Sequence, residues 1–368
     1  MRESDVAILQ AADLHLGGFR HAYNYLGRTK ACCDEFVSKV LSIKAKKIIL
    51  VISGDFWDGR GIKETERTLG DALILALLQD PRIHVVMING NHEYYDHSGL
   101  TMIHGFESLA KFDMTKNLHV VTNDPKTEIV TIDDLSYRFL CVPCQQHLTT
   151  KALRKILKAL LKTSSGSCTR TYAVIHEALS NAISDNGTPI ESKLDLSSFD
   201  DIDGYMLGDI HKRQSMGHNA WYCGSPWQTK YNEDSKAGFL RWRGSEVELV
   251  ELKVPKLLET NDIAIAKKYA DTKHSVRYTG LEPLGFEALN VSHVPQVKRS
   301  SENNNNNDVV LDVRDINRVR SITTKDMTDN LPTFLETKAK LSEKEVRIGI
   351  KKVKRELQFS FSESTENP

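Results

Sequence analysis

Short apolar runs, each ending in small, acidic or histidine residues, organise the first two thirds of the chain. Val6 to Ala11 is the first, and Asp13-Leu14-His15 lies just past it. Lys47 to Ile52 is nearly continuous apolar sequence, the pattern of a strand buried on both faces. Ser53-Gly54-Asp55 follows at once, and Ile83 to Ile88 leads in the same way into Asn89-Gly90-Asn91-His92. Between these runs, Ala22 to Leu41 has helical spacing, with Tyr25, Cys32, Phe36, Val40 and Leu41 as inward positions. Thr65 to Leu78 reads as a second helix, stopped by Asp80-Pro81. This alternation predicts an α/β sheet that carries its ligands at the carboxyl ends of the strands.

The middle of the chain changes character. Leu118 to Val121, Glu128 to Ile132 and Tyr137 to Val142 are short and closely spaced, which predicts a more antiparallel region. Lys151 to Leu161 reads as an amphipathic helix on Leu153, Ile156, Leu157, Leu160 and Leu161. Tyr172 to Ile175 delivers His176, and Tyr205 to Leu207 delivers Gly208-Asp209-Ile210-His211. Trp221 to Gly224, Gly238 to Trp242 and Val247 to Val254 read as closing strands. Residues 1–254 therefore read as one α/β domain, two packed β-sheets flanked by helices.

Residues 255–330 read as a smaller α+β domain, with strands expected at Ser275 to Tyr278 and Val309 to Val313. Ser300 to Asp308 is asparagine-rich and has nothing to bury, which predicts a flexible loop. Residues 331–368 read as a helical tail. Its Lys351-Lys352-Val353-Lys354-Arg355 and its apolar Leu335, Leu341, Val346, Ile350, Val353 and Leu357 suit a solvated amphipathic helix. They equally suit a docking segment for a partner or a nucleic-acid contact.

Composition narrows the setting. At 368 residues the chain exceeds one average domain, so two domains are expected. The formal net charge is zero, so nothing global announces a nucleic-acid partner, although whole-chain charge averages over faces. The charged start, Met1 to Asp5, has no following apolar signal core, and no stretch approaches a membrane span. The expectation is an intracellular protein with no membrane partner. The six cysteines form no disulfide framework. Cys141-Val142-Pro143-Cys144 matches C-x-x-C but has no second pair, so it reads as reduced structural thiols, with redox or zinc use as the alternative.

The polar loops carry the chemistry. Aspartate, histidine and asparagine supply oxygen and nitrogen donors that suit Mn²⁺, Fe²⁺ or Zn²⁺ better than Ca²⁺. A catalytic pair of ions about 3.5–4 Å apart needs a carboxylate able to bridge both. Each fragment is weak alone, and a lone histidine such as His176 is usually structural. The ordered series D-x-H, G-D, G-N-H-E, H, G-x-x-H at strand ends points to a two-metal phosphoesterase.

That series resembles the calcineurin-like metallophosphoesterase superfamily. Ala12-Asp-Leu-His-Leu-Gly17 and Leu207-Gly-Asp-Ile-His-Lys212 resemble its DNA-repair nuclease branch, the SbcD-type nuclease subunit and the phage recombination endonuclease subunit. Tyr222-Cys-Gly-Ser-Pro-Trp-Gln228, followed by Gly238-Phe239, is similar to that branch's closing strands. The motifs cover residues 12 to about 240.

The resemblance implies that Asp13, His15, Asp55 and His211 hold one divalent ion. Asp55 would bridge to a second, completed by Asn91, His176 and Asp209. His92 would stay off the ions as the catalytic residue, stabilising the transition state or protonating the leaving oxygen. The implied activity is metal-dependent hydrolysis of DNA phosphodiesters, as exonuclease or endonuclease, in recombination and repair. It implies an SMC-like coiled-coil ATPase docked on 331–368 and a homodimer. Residues 255–330 are expected to serve as a cap or DNA-binding domain, and the short N-terminus and modest tail suggest a cytoplasmic protein of a bacterial or phage-infected cell.

Two positions depart from the pattern. Asp209 stands where many relatives have histidine, and the added carboxylate predicts Mn²⁺ or Mg²⁺ over Zn²⁺. Asp58 stands where some relatives place a histidine near the substrate phosphate. Tyr94 and Tyr95 suit stacking on an unpaired base or plain packing, and His97 and His104 are candidates to face substrate. His21, His84, His119, His147 and His218 read as surface or satisfied residues. The competing expectation is a phosphatase acting on phosphoprotein or small phosphoesters. Gly54-Asp-Phe-Trp-Asp-Gly-Arg60 and Gly90-Asn-His-Glu93 are similar to serine/threonine phosphatase signatures, but Arg60 is one residue out of place.

Overall fold

Along the strand Lys47–Ser53, Ile48, Leu50 and Ile52 pack on one side and Ile49 and Val51 on the other. All five are fully buried. A strand covered on both faces must lie between two layers, and the chain builds those layers in order. The computed structural model describes residues 1–294 except 21, 23, 60, 94–105, 114–115, 164–166, 197–198, 232 and 234–235. The asparagine-rich loop at 300–308, the strand expected at Val309 to Val313 and the 331–368 tail lie outside the described residues. So do His21, Arg60, Tyr94, Tyr95, His97 and His104.

The first layer starts with β1 (Val6–Ala11), α1 (Tyr25–Leu41), β2 (Lys47–Ser53), α2 (Glu64–Leu78), β3 (Ile83–Ile88), α3 (Phe106–Phe112) and β4 (Leu118–Val121). The second comprises β5 (Lys126–Ile132), β6 (Leu135–Val142), α4 (Thr150–Thr163), β7 (Arg170–His176), β8 (Gly204–Gly208), β9 (Gln214–Gly217) and β10 (Ala220–Tyr222). The chain then returns to the first sheet with β11 (Gly238–Arg243) and β12 (Glu246–Glu251). The sheets run in the orders β12-β11-β1-β2-β3-β4 and β5-β6-β7-β8-β10-β9.

Ile8, Ile49, Val51, Val86 and Ile88 of the first sheet meet Phe139, Tyr172, Val174 and Met206 of the second in one core. The outer face of the first sheet packs on Cys32, Phe36, Leu73 and Leu77 of α1 and α2. The second packs on Leu153, Leu157 and Leu160 of α4. Buried Gln10 joins the layers: its Nε2 donates to Leu207 O and Trp221 O, and its Oε1 accepts from Trp242 Nε1. The architecture is thus α/β, two large packed sheets flanked by helices.

The region from 118 to 142 is less antiparallel than its spacing predicts. Only β5 and β6 form an antiparallel pair; β4 runs parallel to β3, and β6 parallel to β7. Strand length and spacing carry no information about which distant strand is the neighbour. Helix α1 begins at Tyr25 rather than Ala22, because Asn24 before it takes a left-handed backbone, φ 48°. After the second layer, β13 (Leu257–Thr260), α5 (Ile263–Lys268), β14 (Ser275–Tyr278) and β15 (Val291–His293) form a small parallel sheet with one helix. All six cysteines are free thiols.

Candidate active site

Parallel strands deliver their loops to one end of a sheet, and here both sheets deliver to the same end. Asp13 follows β1, Asp55 follows β2 and Asn91 follows β3, while His176 ends β7 and Asp209 follows β8. The β1 and β2 loops stay paired beyond their strands: Asp13 N donates to Gly54 O and His15 N to Asp55 O, each at 3.0 Å. Across the layers, the His176 ring meets Ser53 O through Nδ1 at 2.7 Å. A carbonyl only accepts, so Nδ1 carries the proton and Nε2 faces the centre of the site. Two glycines make this approach feasible. A Cβ on Gly90 would collide with the Asp55 carboxylate, and one on Gly208 with Ser53 O.

Asp13, His15, Asp55 and Asp209 all hold φ between 46° and 92°. Side-chain-bearing residues rarely adopt that region, at a cost of about 1–3 kcal/mol each. Four such residues among eight sequence candidates mark where the fold strains its backbone to aim side chains inward.

The structure brings seven candidates to one place. His15 Nε2 lies 2.9 Å from His211 Nε2 and 3.6 Å from Asp55 Oδ2. His176 Nε2 lies 3.4 Å from Asp55 Oδ2, 3.1 Å from Asn91 Oδ1 and 3.9 Å from Asp209 Oδ1. Asp13 Oδ1 accepts from Asp209 N at 3.0 Å. Asp13, His15 and His211 form one group able to hold an ion, and Asp13, Asp55 and His176 another. The eighth candidate, His92, stands at the rim. Its ring contacts His15 edge-on, its Nδ1 donates to Asp58 O at 2.6 Å, and it groups with His15 and Asp55 as a third possible donor set.

The donor set fits metal ions. Asp13 Oδ2 is buried and receives no hydrogen bond, which is costly for a carboxylate oxygen. The separation of His15 and His211 Nε2 suits two imidazoles sharing one ion at about 2.1 Å from each. Burial disfavours charge on His176, but the carboxylates of Asp55, Asp13 and Asp209 outweigh it and hold its imidazolium form well above the usual range. Burial likewise opposes charge on Asp55, but His176 above all, with His15 and His92, holds that carboxyl well below its ordinary value. Burial pushes Asp13 and Asp209 upward. The site is a dense negative field in a dry setting, and such a field attracts cations.

Residues that pattern reading passed over do much of the positioning. Glu93, quoted only as part of G-N-H-E, is buried and clamps two loops: Oε1 accepts from Phe56 N and Trp57 N, and Oε2 from Gly90 N. Burial and the Asp55 carboxylate push its pKa up to about 8, against those donors. Glu233 accepts from His211 Nδ1 at 2.9 Å and from Thr229 Oγ1 at 2.7 Å. Burial pulls His211 down, yet the Glu233 hydrogen bond and the Asp13 charge lift it to about 9.

Asp58 holds its Oδ1 3.2 Å from His15 Nδ1, off the line of a hydrogen bond, while its carbonyl fixes His92. It therefore supports both rings. The Tyr222–Gln228 motif pins the first loop from behind. Ser225 Oγ donates to Asp13 O and Trp227 Nε1 to Leu14 O. Of the histidines expected at the surface or satisfied, His119 pairs with Glu128 and His218 is exposed. His84 departs: its Nδ1 is buried without a partner, because β3 carries it into the sheet.

The sequence model of the family described as calcineurin-like phosphoesterase matches residues 6–213, more than half of the chain. No curated protein matches. Among solved structures, phosphopantetheinyl hydrolase (PptH) of Mycobacterium tuberculosis is similar at 13% identity over 61% of this chain and 92% of its own, with a TM-score of 0.35. Sulfate thiohydrolase SoxB of Thermus thermophilus is 12% identical over 70% of this chain and 59% of its own, TM-score 0.38. The NAD nucleotidase NadN of Haemophilus influenzae is 14% identical over 67% of this chain and 49% of its own, TM-score 0.36.

Proposed function

This chain belongs to the calcineurin-like phosphoesterase family, metal-dependent hydrolases with a dinuclear site, and on that premise we propose that it hydrolyses phosphodiester bonds in DNA. The observation that carries the diester reading is Asp209, the third carboxylate of the site beside Asp13 and Asp55. Counting only the residues that would touch the ions, three carboxylates against two divalent ions would leave one positive charge, which a diester monoanion neutralises. A histidine at 209 would leave two, matching a phosphomonoester that approaches a dianion near neutral pH. The same carboxylate hardens the donor set and favours Mn²⁺, with Mg²⁺ next, over Zn²⁺. The Ala12–Gly17, Leu207–Lys212 and Tyr222–Gln228 motifs support DNA as the diester and a role in recombination or repair.

In this reading Asp13, His15, Asp55 and His211 would hold one ion, and Asp55, Asn91, His176 and Asp209 the other. When bound, the ions supply Lewis acidity toward the phosphate oxygens and acidify the attacking water. The protein's own groups set the geometry. Glu233 turns His211 through its Nδ1 so that its Nε2 meets that of His15, behind which the Asp58 carboxylate lies at 3.2 Å. Ser53 O fixes the tautomer of His176. Asp58 O fixes that of His92, whose Nε2 is then the atom that bonds to, or protonates, the departing oxygen.

The test gives the purified protein, in Mn²⁺, linear duplex DNA, single-stranded DNA, bis(p-nitrophenyl) phosphate and p-nitrophenyl phosphate, beside His92→Ala. DNA and diester hydrolysis should exceed monoester hydrolysis, and His92→Ala should lower both by about 10²–10⁴-fold. Strong monoester turnover with no DNA or diester cleavage overturns the proposal in favour of a phosphatase.

A further inference from the structure

Most of the exposed positions of α4 are basic, with Ala159 and Thr163 the exceptions. Lys151, Arg154, Lys155, Lys158 and Lys162 are all exposed, and the helix contains no acidic residue. At about 100° per residue the five fall within an arc of roughly 100°, opposite buried Leu153, Leu157 and Leu160. Together they line a shallow groove of about 440 Å³. Among the described residues none of the five is paired with a carboxylate within ion-pair distance. In a chain of zero net charge, such segregation concentrates a local positive field.

The groove shares Lys151 with a larger cleft of about 830 Å³, which Asn91, His176 and Asp209 also line. Glu177 and Glu191 also line it, balanced by Lys151 and Lys193. The topology explains the layout: β6 ends at the carboxyl end of its sheet, so α4 begins beside the site and carries its lysines away from it.

From this placement we infer that the basic face of α4 is a binding track for the phosphate backbone of DNA, leading a strand through the cleft to the metal-binding residues. The inference rests on the nuclease reading for its ligand. The stripe from Lys151 to Lys162 is about 16 Å long, enough to follow about five phosphates of one strand of a duplex. Charge complementarity argues for a polyanion. A lipid surface fits less well, because the apolar face of α4 is spent on the core and offers nothing to insert.

The experiment measures binding of the full chain to fluorescein-labelled 20-nucleotide single-stranded DNA and to its duplex, by anisotropy, across a salt series. The unsubstituted protein is compared with the triple variant Lys155→Gln, Lys158→Gln, Lys162→Gln and with the matching triple Arg variant. The Gln variant should bind single-stranded DNA at least tenfold more weakly at low salt. Its log–log salt slope should be shallower by about 2, at about 0.7 per phosphate contact. The Arg variant should bind like the unsubstituted protein, and all three should share one thermal unfolding midpoint.

Equal affinity and slope for the Gln variant overturn the track while leaving the nuclease reading standing. DNA binding that depends on the stripe supports the track even if cleavage assays point to another phosphoester. Capture by phosphatidylserine vesicles with no DNA binding overturns it in favour of a membrane surface.

Discussion

The Nε2 atoms of His15 and His211 stand 2.9 Å apart, and each ring turns its other nitrogen toward a carboxylate. Asp58 lies 3.2 Å from His15 Nδ1, and Glu233 bonds His211 Nδ1 at 2.9 Å. Two lone pairs aimed at one point are stable when they share a cation. The Glu233 carboxylate behind the His211 ring both orients it and raises its basicity.

Glu233 should therefore govern metal affinity without touching a metal. Glu233→Gln keeps the shape but loses the negative charge that holds His211. Mn²⁺ affinity should fall about 10–100-fold, read by calorimetric titration of the folded variant. An unchanged dissociation constant would remove Glu233 from any part in positioning His211.

Glu93 fastens the β2 and β3 loops to one another through three backbone N–H groups. In Glu93→Gln the amide nitrogen must face at least one of those donors, leaving a buried N–H unpaired. The expected loss is about 1–3 kcal/mol in chemical denaturation. Diester hydrolysis should drop further than stability, since Asp55 and Asn91 sit on the two loosened loops. Full stability with full activity would show that the clamp has no consequence.

How much of this was legible beforehand depends on how local each signal was. The loops at Asp13, Asp55 and Asn91 follow apolar runs directly, so strand, turn and candidate donor could be read from one stretch. Glu93 and Glu233 could not, because what they do is contact residues 36–37 and 22 positions away. A carboxylate in a polar loop looks solvated until folding buries it. The parallel pairing of β4 with β3 was hidden for the same reason: burial pattern fixes a strand's faces, not its neighbour. Strands β9, β13 and β15 hold neither an apolar run longer than two residues nor a clear alternation, so nothing in them registers as a strand.

His84 predicts a pH dependence away from the site. Burial first, then the nearby Lys47 and His119, lower its pKa from 6.5 to about 4, and its Nδ1 has no partner. The unfolded chain thus binds this proton more readily than the folded one. The stability held by neutral His84 is complete above pH 6.5 and is lost as pH falls from there toward 4. Urea unfolding of His84→Leu beside the unsubstituted protein should show a stability difference that shifts in the variant's favour across that window and is flat above pH 7. A difference independent of pH between 7 and 4 would contradict the assignment.

Asp209 is the residue at which charge and chemistry meet most directly. Its carboxylate lies 3.9 Å from His176 Nε2, and its backbone N–H is tied to Asp13 Oδ1 at φ 92°. Replacing it by histidine removes one negative charge and one hard donor while retaining a ligand atom. The remaining field should better tolerate a phosphomonoester dianion, and the donor set should accept Zn²⁺ more readily. The ratio of p-nitrophenyl phosphate to bis(p-nitrophenyl) phosphate turnover, as kcat/KM, should rise at least tenfold in Asp209→His, about 1.4 kcal/mol of discrimination. Asp209→Asn separates charge from ligand identity: it should shift the ratio in the same direction while Zn²⁺ gains less. If both variants lose activity with the ratio unchanged, the third carboxylate serves only to hold the metal, and the charge argument for a diester substrate fails with it.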